Sequence, residues 1–219
     1  SPRANAAGAV LIPTAEALDA YLTEQKLSPA TVIGHSLGGT MSLYLAQTHP
    51  EHLKKVLIVD AWPSFAQTLA RGRPMTAEQI QAMATQMKAA MSGPPGDPAA
   101  ARTALIKQFA FYTTDPGRQG VIADWSLASA RTVSGQAMYD DLMLDLSAKL
   151  PANRTPITLV YPDNVPTGMP AGMMDRIYRT LYAPMPDKTL EPVAGALHFV
   201  MWDQPQAFAD DLDTFLAQN

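Results

Sequence analysis

The stretch Gly34-His35-Ser36-Leu37-Gly38-Gly39 decides the fold of this 219-residue chain. It follows an apolar run at residues 30–33 and leads into a helix-compatible stretch at residues 40–47. The pattern Gly-x-Ser-x-Gly is short, but between a strand and a helix it predicts a sharp turn that exposes the serine. A serine alcohol needs such a position, because a base must take its proton and backbone N–H groups must receive the oxyanion. We therefore predict that Ser36 is a nucleophile.

Two glycines flank the serine at a distance of two residues. The strand and helix backbones approach each other closely on both sides of such a turn. We therefore expect Gly34 and Gly38 to be the positions with no room for a side chain.

The residues around the turn predict an α/β fold with a parallel sheet. Residues 56–60 form an apolar run without polar alternation, which indicates a buried strand. The resulting strand-helix-strand order implies a parallel, right-handed crossover. Two more strands are predicted at residues 157–161 and 189–193. Helices are predicted at residues 14–25, beginning after Thr14, and at residues 171–182 and 205–217.

The chain between the second and third predicted strands has a different character. It shows no strand pattern, and helix-start signals recur at Thr76 with Gln79, at Asp97-Pro98 and at Asp115-Pro116. We therefore predict three parts: a core at residues 1–62, a helical cap at residues 63–150 and a second core segment at residues 151–219. Within the cap, Asp140, Asp141 and Asp145 are interpreted as one solvated stretch of a helix.

The composition excludes several classes of function. Apolar residues make up 47% and charged residues 16%, and the net charge is −4 without any Lys/Arg cluster, which argues against a nucleic-acid partner. No apolar run approaches the roughly 18 residues of a membrane span. There is no cysteine, so disulfides and thiolate chemistry are excluded. A small-molecule partner is favoured, while oligomeric state and compartment are not indicated.

Four histidines are candidates for the base that activates the serine. His35 lies inside the turn, where its side chain is expected to point away from the serine and to pack as a neighbour. His49 and His52 follow the helix and are interpreted as solvated. His198 lies in a loop of small residues after the last predicted strand, from which it can reach a serine on another strand. We therefore predict that His198 is the base.

The third member of such a triad is an acid that orients the imidazole and stabilises its charged form. The order serine, acid, histidine selects carboxylates between Ser36 and His198. Asp163 follows the predicted strand at residues 157–161, at the carboxyl edge of the sheet where sites of open α/β sheets gather. Asp60 ends the strand after the elbow helix and is the alternative. We favour Asp163 because its loop position suits the position of His198.

Metal and cofactor chemistry is not indicated. His49 and His52 could share a helix face, but no carboxylate or third histidine stands at ligand spacing in the sequence, and zinc needs at least three protein ligands. The glycines at residues 34–39 lack the lysine and serine of a phosphate-binding loop. We therefore expect no metal and no cofactor.

These residues resemble the catalytic part of the α/β-hydrolase fold family. The matching segments are GHSLGG at residues 34–39, His49-Pro50-Glu51, VLIVD at residues 56–60 and GALHFVMWDQPQAF at residues 195–208. The resemblance implies that Ser36 is the nucleophile, His198 the general base and acid, and Asp163 the orienting acid. It also implies that the Leu37 backbone N–H is one oxyanion donor. Trp62 and Met169 are candidate residues of the substrate pocket.

The chain departs from this family at its beginning. Members usually carry several strands before the elbow, with a loop that supplies the second oxyanion N–H, but only 35 residues precede Ser36 here. The strand before the elbow would then be an unprotected sheet edge. We therefore expect a sheet without the usual amino-terminal strands, and a chain that is the carboxyl-terminal portion of a longer protein.

The function predicted from the sequence is that of a serine hydrolase acting on a carboxylic ester or related acyl substrate. Carbon–carbon bond hydrolysis, lactone opening and perhydrolysis use the same residues and stay open. A different class is a binding module that keeps the fold without catalysis. The incomplete oxyanion hole favours that class, while the intact serine, acid and histidine argue against it.

Overall fold

The structure, a computed structural model, describes residues 8–70, 73–94, 96–163, 170 and 172–218. Within these residues a single sheet of four parallel strands has the order β1-β2-β3-β4. The strands are β1 (Ala30–His35), β2 (Leu53–Val59), β3 (Ile157–Asp163) and β4 (Lys188–Ala194). The α-helices are α1 (Leu11–Glu24), α2 (Leu37–Thr48), α3 (Phe65–Leu69), α4 (Ala77–Ser92), α5 (Pro98–Phe109), α6 (Pro116–Ala128), α7 (Arg131–Met143), α8 (Met173–Leu181), α9 (Val200–Asp203) and α10 (Pro205–Ala217). The predicted parallel α/β architecture is confirmed.

The two central strands are covered on both faces. Alternate side chains of β2 enter two different clusters, because successive residues of a strand point to opposite faces. Val56 and Ile58 pack in one cluster with residues of α1, α2 and α8. Leu57 and Val59 pack in the other with residues of α9 and α10. This double burial explains why residues 56–59 of β2 form the uninterrupted apolar run from which the strand was predicted.

Strand β1 lies at one edge of the sheet. Among the described strands it pairs with β2 alone, and Ile33 in its middle is 48% exposed. The edge position of the elbow strand was predicted from the sequence, and it leaves the hydrogen-bonding groups on one side of β1 without a partner strand in the described part of the chain.

The start of α1 differs from the prediction. The helix begins at Leu11 rather than after Thr14. The Asp140 carboxylate, on α7, accepts hydrogen bonds from the N–H groups of Val10 and Leu11, the latter at 3.0 Å. Asp140 therefore supplies from a distant helix the acceptor that an N-terminal side chain normally provides, and the prediction that it is merely solvated was wrong.

Helices α3 to α7 lie between β2 and β3, and we call them the inserted helices. Their predicted start signals are confirmed: Thr76 and Gln79 form a capping box, Asp97 accepts from the Ala100 N–H, and Asp115 accepts from the Gly117 N–H. In the described part of this region, β-type pairing is limited to an isolated antiparallel bridge between Ser64 and Asp145. The division of the chain into two core segments and a cap stays a prediction.

Candidate active site

The predicted elbow is present between β1 and α2. Ser36 is the one residue between the two elements and has φ 55° and ψ −123°. Such a conformation costs a non-glycine residue about 1–3 kcal/mol and persists only where its surroundings hold it. The Ser36 N–H donates to the Val59 carbonyl at 2.9 Å, which ties the turn to the neighbouring strand. The serine is thus held in a strained conformation at the carboxyl edge of the sheet.

The close approach of strand and helix involves one of the two predicted glycines and a third one, Gly39. A Cβ on Gly34 would lie 2.2 Å from the Gly38 carbonyl oxygen and 2.4 Å from Ser42 Oγ. A Cβ on Gly39 would lie 2.7 Å from the Ala61 Cβ, whereas one on Gly38 would meet no described atom within 4 Å. The prediction was right for Gly34 and wrong for Gly38, because Gly39 is the residue of α2 that packs against the end of β2.

His198 is paired with Asp60. The His198 Nδ1–H donates to Asp60 Oδ2 at 2.6 Å, and the two side chains are 19% and 10% exposed. A carboxylate on Nδ1 holds the imidazole in the tautomer whose Nε2 carries the free lone pair. This is the form that can accept a proton from a serine hydroxyl.

Asp163, the acid favoured from the sequence, does not pair with His198. It accepts a hydrogen bond from the Asp175 N–H at 3.5 Å, at the start of α8. The strand register explains the difference. Asp60 follows directly on Val59, which pairs with Val160, whereas Asp163 lies three residues further along β3. The choice of Asp163 over Asp60 as the partner of His198 was therefore wrong.

A buried tyrosine supports Asp60 from the other side. The Tyr178 hydroxyl donates to Asp60 Oδ1. Burial and, next, the charge of Asp60 raise the pKa of Tyr178 well above its usual value, so the hydroxyl keeps its proton. The Tyr178 ring stacks on Tyr161 with centroids 4.1 Å apart. Both Asp60 oxygens thus have donors, one from His198 and one from Tyr178.

His35 contacts the backbone of the His198 loop. Its Nε2–H donates to the His198 carbonyl at 2.9 Å, and the two rings have centroids 4.5 Å apart. Burial and, to a lesser degree, the nearby His198 lower the pKa of His35 to about 4. His35 is therefore neutral near pH 7, as suits a packed neighbour that positions the loop.

A cavity of about 680 Å³ joins these residues to the inserted helices. Ser36, Asp60 and His198 line it at the edge of the sheet, and residues of α3 and α7 line it as well. Leu37 also lines the cavity, and as the first residue of α2 it has an N–H without an intrahelical acceptor. The predicted nucleophile, base and oxyanion donor therefore share one cavity.

Of the two residues predicted to line the substrate pocket, the structure describes Trp62. Trp62 lines the cavity and stacks on Phe65 of α3, with ring centroids 5.7 Å apart. Met169 lies outside the described residues. Two other methionines, Met138 and Met174, line the cavity.

Asp141 is a charged cavity residue that was not predicted to belong to the site. Asp141 on α7 lines the cavity, and its Oδ1 is buried without a hydrogen-bond partner among the described residues. Burial raises the pKa of Asp141 to about 6, against a smaller lowering by the Thr40 side chain. Helical spacing could have found it, because Ser134, Met138 and Asp141 share one face of α7 and all line the cavity. The prediction that Asp141 is solvated was wrong.

His49 and His52 are not simply solvated either. Their side chains are 26% and 28% exposed, and each contacts a carboxylate of α1. Glu16 faces His49, and Asp19 faces His52. Neither histidine lines the cavity, so His198 remains the histidine placed to act on Ser36.

Comparison with known proteins agrees with the fold. The sequence profile of the Alpha/beta hydrolase family matches residues 3–211. The chain therefore belongs to the alpha/beta hydrolase family, the class of protein that the parallel sheet and strand-serine-helix turn define. Every helix in the described part of the chain falls short of the length and apolar character that a membrane span requires.

Solved structures resemble this chain over nearly its whole length. An esterase from Exiguobacterium antarcticum is 17% identical, with a TM-score of 0.74 over 98% of this chain and 76% of that chain. A hydrolase from Pseudomonas aeruginosa is 16% identical, with a TM-score of 0.74 over 99% of this chain and 75% of that one. The enol-lactonase from Burkholderia xenovorans is 15% identical, with a TM-score of 0.70 over 97% and 76%. At these identities the likeness shows the fold alone.

Proposed function

We propose that this protein is a serine hydrolase that acts on a carboxylic ester or a related acyl substrate, with Ser36, His198 and Asp60 as its catalytic triad. The observation that carries the proposal is the His198 Nδ1 to Asp60 Oδ2 pair at 2.6 Å, in the same cavity as the strained Ser36. Asp60 takes the role that the sequence analysis gave to Asp163.

The chemistry follows from the tautomer that Asp60 favours. His198 Nε2 accepts the Ser36 hydroxyl proton as the serine oxygen attacks the acyl carbon, and Asp60 stabilises the resulting imidazolium. The Leu37 N–H, at the positive end of α2, donates to the oxyanion of the tetrahedral intermediate. His198 then gives the proton to the leaving alcohol, and the same steps with water as nucleophile release the acid from the acyl-enzyme.

The cavity supports a small, largely apolar substrate. Its volume of about 680 Å³ lies in the range of small-molecule sites. Trp62, Phe65 and Met138 provide apolar walls for an acyl or alcohol chain. Because α3 and α7 close one side, we infer that the inserted helices act as a cap that determines which substrates enter.

Two groups of alternatives bear on this proposal. An esterase and an enol-lactonase are both among the structural neighbours, so ester hydrolysis and lactone opening are equally compatible with the fold. Carbon–carbon bond hydrolysis and perhydrolysis would employ the same triad. A non-catalytic binding module would not need a serine held at φ 55° beside a paired acid and histidine, and this strain favours the enzyme.

Covalent labelling tests the proposal. A fluorophosphonate probe is expected to modify the protein at Ser36, as read by peptide mass spectrometry, and Ser36→Ala is expected to abolish the label. Ser42→Ala, which changes a buried serine on the same helix, is the matched control and is expected to keep it. Labelling that survives in Ser36→Ala, or none in a folded wild-type protein that binds acyl ligands, would contradict the proposed mechanism.

A further inference from the structure

A second cluster of chemically active side chains lies at the other end of the elbow helix. His49 follows the last residue of α2, and His52 ends the short 3-10 turn that comes after it. Asp19, on the neighbouring helix α1, is 9% exposed and lies against both histidines. None of the three lines the active-site cavity, and the proposed mechanism does not use them.

The ligand atoms of this cluster converge. Asp19 Oδ1 lies 2.7 Å from His52 Nδ1, and Asp19 Oδ2 lies 3.8 Å from His49 Nδ1. One ligand atom from each of the three residues lies within 4.8 Å of the others. Ligands bound to zinc at about 2.0–2.1 Å in tetrahedral geometry are roughly 3.3 Å apart. The 4.8 Å limit exceeds this separation by about 1.5 Å, which adjustments shared between two side chains would close.

The far sides of both imidazoles face carboxylates. Glu16 Oε2 lies 3.1 Å from His49 Nε2, and Glu51 Oε1 lies 3.9 Å from His52 Nε2. A metal-bound histidine characteristically donates its other N–H to a carboxylate, which fixes the ring and directs the remaining lone pair at the metal. For His49, donation from Nε2 to Glu16 leaves the Nδ1 lone pair directed towards Asp19. The hydroxyl of Tyr44 donates to Glu16 at 2.6 Å and holds that carboxylate in place.

We propose that Asp19, His49 and His52 form a binding site for a divalent transition-metal ion of the zinc type, with one carboxylate oxygen and two Nδ1 atoms as protein ligands. Imidazole and carboxylate ligands suit zinc, and water completes the tetrahedral shell. Glu16 orients His49 from outside the coordination sphere.

The place of the site in the fold indicates its role. The metal would join α1 to the end of α2, the helix whose first turn carries Ser36 and Leu37. It would therefore stabilise the packing of these helices rather than take part in acyl transfer. A ligand that binds the folded state and not the unfolded chain raises the Tm with its concentration, so the effect is measurable in thermal unfolding.

Titration of metal-free protein with zinc chloride tests the proposal. The protein is first treated with a chelator and exchanged into metal-free buffer, and binding is followed by calorimetry and by thermal unfolding. We expect the wild-type protein to bind one ion per chain and to show a rise in Tm. In Asp19→Asn and in His52→Gln we expect at least a 100-fold weaker zinc affinity and no rise in Tm. Glu16→Gln is expected to weaken binding 10- to 100-fold, and Glu24→Gln, an exposed carboxylate on the same helix, to leave it unchanged.

Further readouts separate the site from non-specific binding and from the proposed hydrolase activity. Cobalt(II) bound to this site is expected to give the visible absorption of a tetrahedral complex, which His52→Gln should lack. Circular dichroism checks that the variants are folded, and fluorophosphonate labelling at Ser36 is expected to persist in all of them. Stoichiometric zinc binding that survives in folded Asp19→Asn and His52→Gln, or no stoichiometric binding in the wild-type protein, would overturn the proposal.

Discussion

Asp141 shows how a single residue links the cavity to stability. Its carboxyl is buried on α7, and burial raises its pKa to about 6 from the ordinary 3.8. The folded protein therefore holds a proton at this site between about pH 4 and pH 6 that the unfolded chain has released. The protonated Asp141 carboxyl contributes fully to the free energy of unfolding at pH values below 3.8, and this contribution is lost as the pH rises through about 6.

Replacing Asp141 by asparagine is expected to remove this pH dependence. The difference between pKa values of 3.8 and about 6 corresponds to about 3 kcal/mol. Asp141→Asn is therefore predicted to be more stable than the wild type by up to about 3 kcal/mol at pH 8 and nearly equal to it at pH 3. Urea unfolding at both pH values measures this. Stability differences of the same size at pH 3 and pH 8 would show that Asp141 does not titrate as described.

Site residues that stand in a local motif were placed correctly in the cavity, whereas contacts between residues far apart in the sequence could not be predicted. Ser36 and His198 stand in motifs that can be recognised along the chain. Asp60 and Asp163 both follow buried strands, and only the register of β2 against β3 distinguishes them. Asp19 reaches the two histidines from a helix thirty residues earlier in the sequence, so spacing along the chain did not reveal the cluster.

At the scale of elements, apolar patterning and helix-start signals were reliable. Strands β2 and β3 were found because they are buried on both faces, and β1 was found because it precedes the elbow. The helix at residues 205–217 was placed as the structure has it. The start of α1 was misplaced because its capping acceptor comes from Asp140, more than a hundred residues away. Local signals thus locate elements whose ends are stabilised locally.

The elbow makes a sharp prediction about its glycines. Gly34→Ala would place a Cβ 2.2 Å from the Gly38 carbonyl oxygen, and relieving this clash would require the backbone to move. A Cβ at Gly38 would meet no described atom within 4 Å. We expect Gly34→Ala to destabilise the protein by several kcal/mol or to prevent folding, and Gly38→Ala to stay within about 1 kcal/mol of the wild type, since alanine is favoured over glycine inside a helix. Thermal unfolding of the two variants is the measurement, and equal losses of stability would contradict the described packing.

In the whole molecule, helix α10 packs on one face of the sheet, and the buried Lys55 side chain forms hydrogen bonds to the end of that helix. Lys55 of β2 is 5% exposed, and its ammonium donates to the carbonyls of Phe215 at 2.7 Å, Leu216 at 3.1 Å and Gln218. A cation at the carboxyl end of a helix is also favoured by the helix dipole. Lys55 therefore links the strand next to the elbow with the end of α10.

Removing this ammonium is expected to loosen the closing helix. Lys55→Met keeps most of the apolar stem but leaves three carbonyl oxygens without their charged donor, at a cost of about 1–3 kcal/mol. Lys54→Met, at the exposed neighbouring position, is the control and is expected to change stability by less than about 0.5 kcal/mol. Chemical denaturation compares them, and hydrogen exchange locates the change. Similar stability of the two variants would show that Lys55 does not anchor α10.

The four-stranded sheet can be compared in size with the solved structures that resemble it. The four strands form an edge at β1, and the chain spans about three quarters of the length of the solved structures described above. Within this part of the fold the serine, the histidine and the acid lie together, so the identity of the acid can be tested directly.

In the proposed triad Asp60, and not Asp163, orients His198. We predict that Asp60→Asn lowers kcat for hydrolysis of p-nitrophenyl butyrate by about 10³–10⁴-fold, because an amide in this position favours the wrong imidazole tautomer. Asp163→Asn, which removes no contact to His198, is expected to keep kcat within about threefold of the wild type. Both kcat values are measured on variants with wild-type secondary structure. A large loss of kcat in Asp163→Asn with near-normal turnover in Asp60→Asn would contradict the proposed role of Asp60.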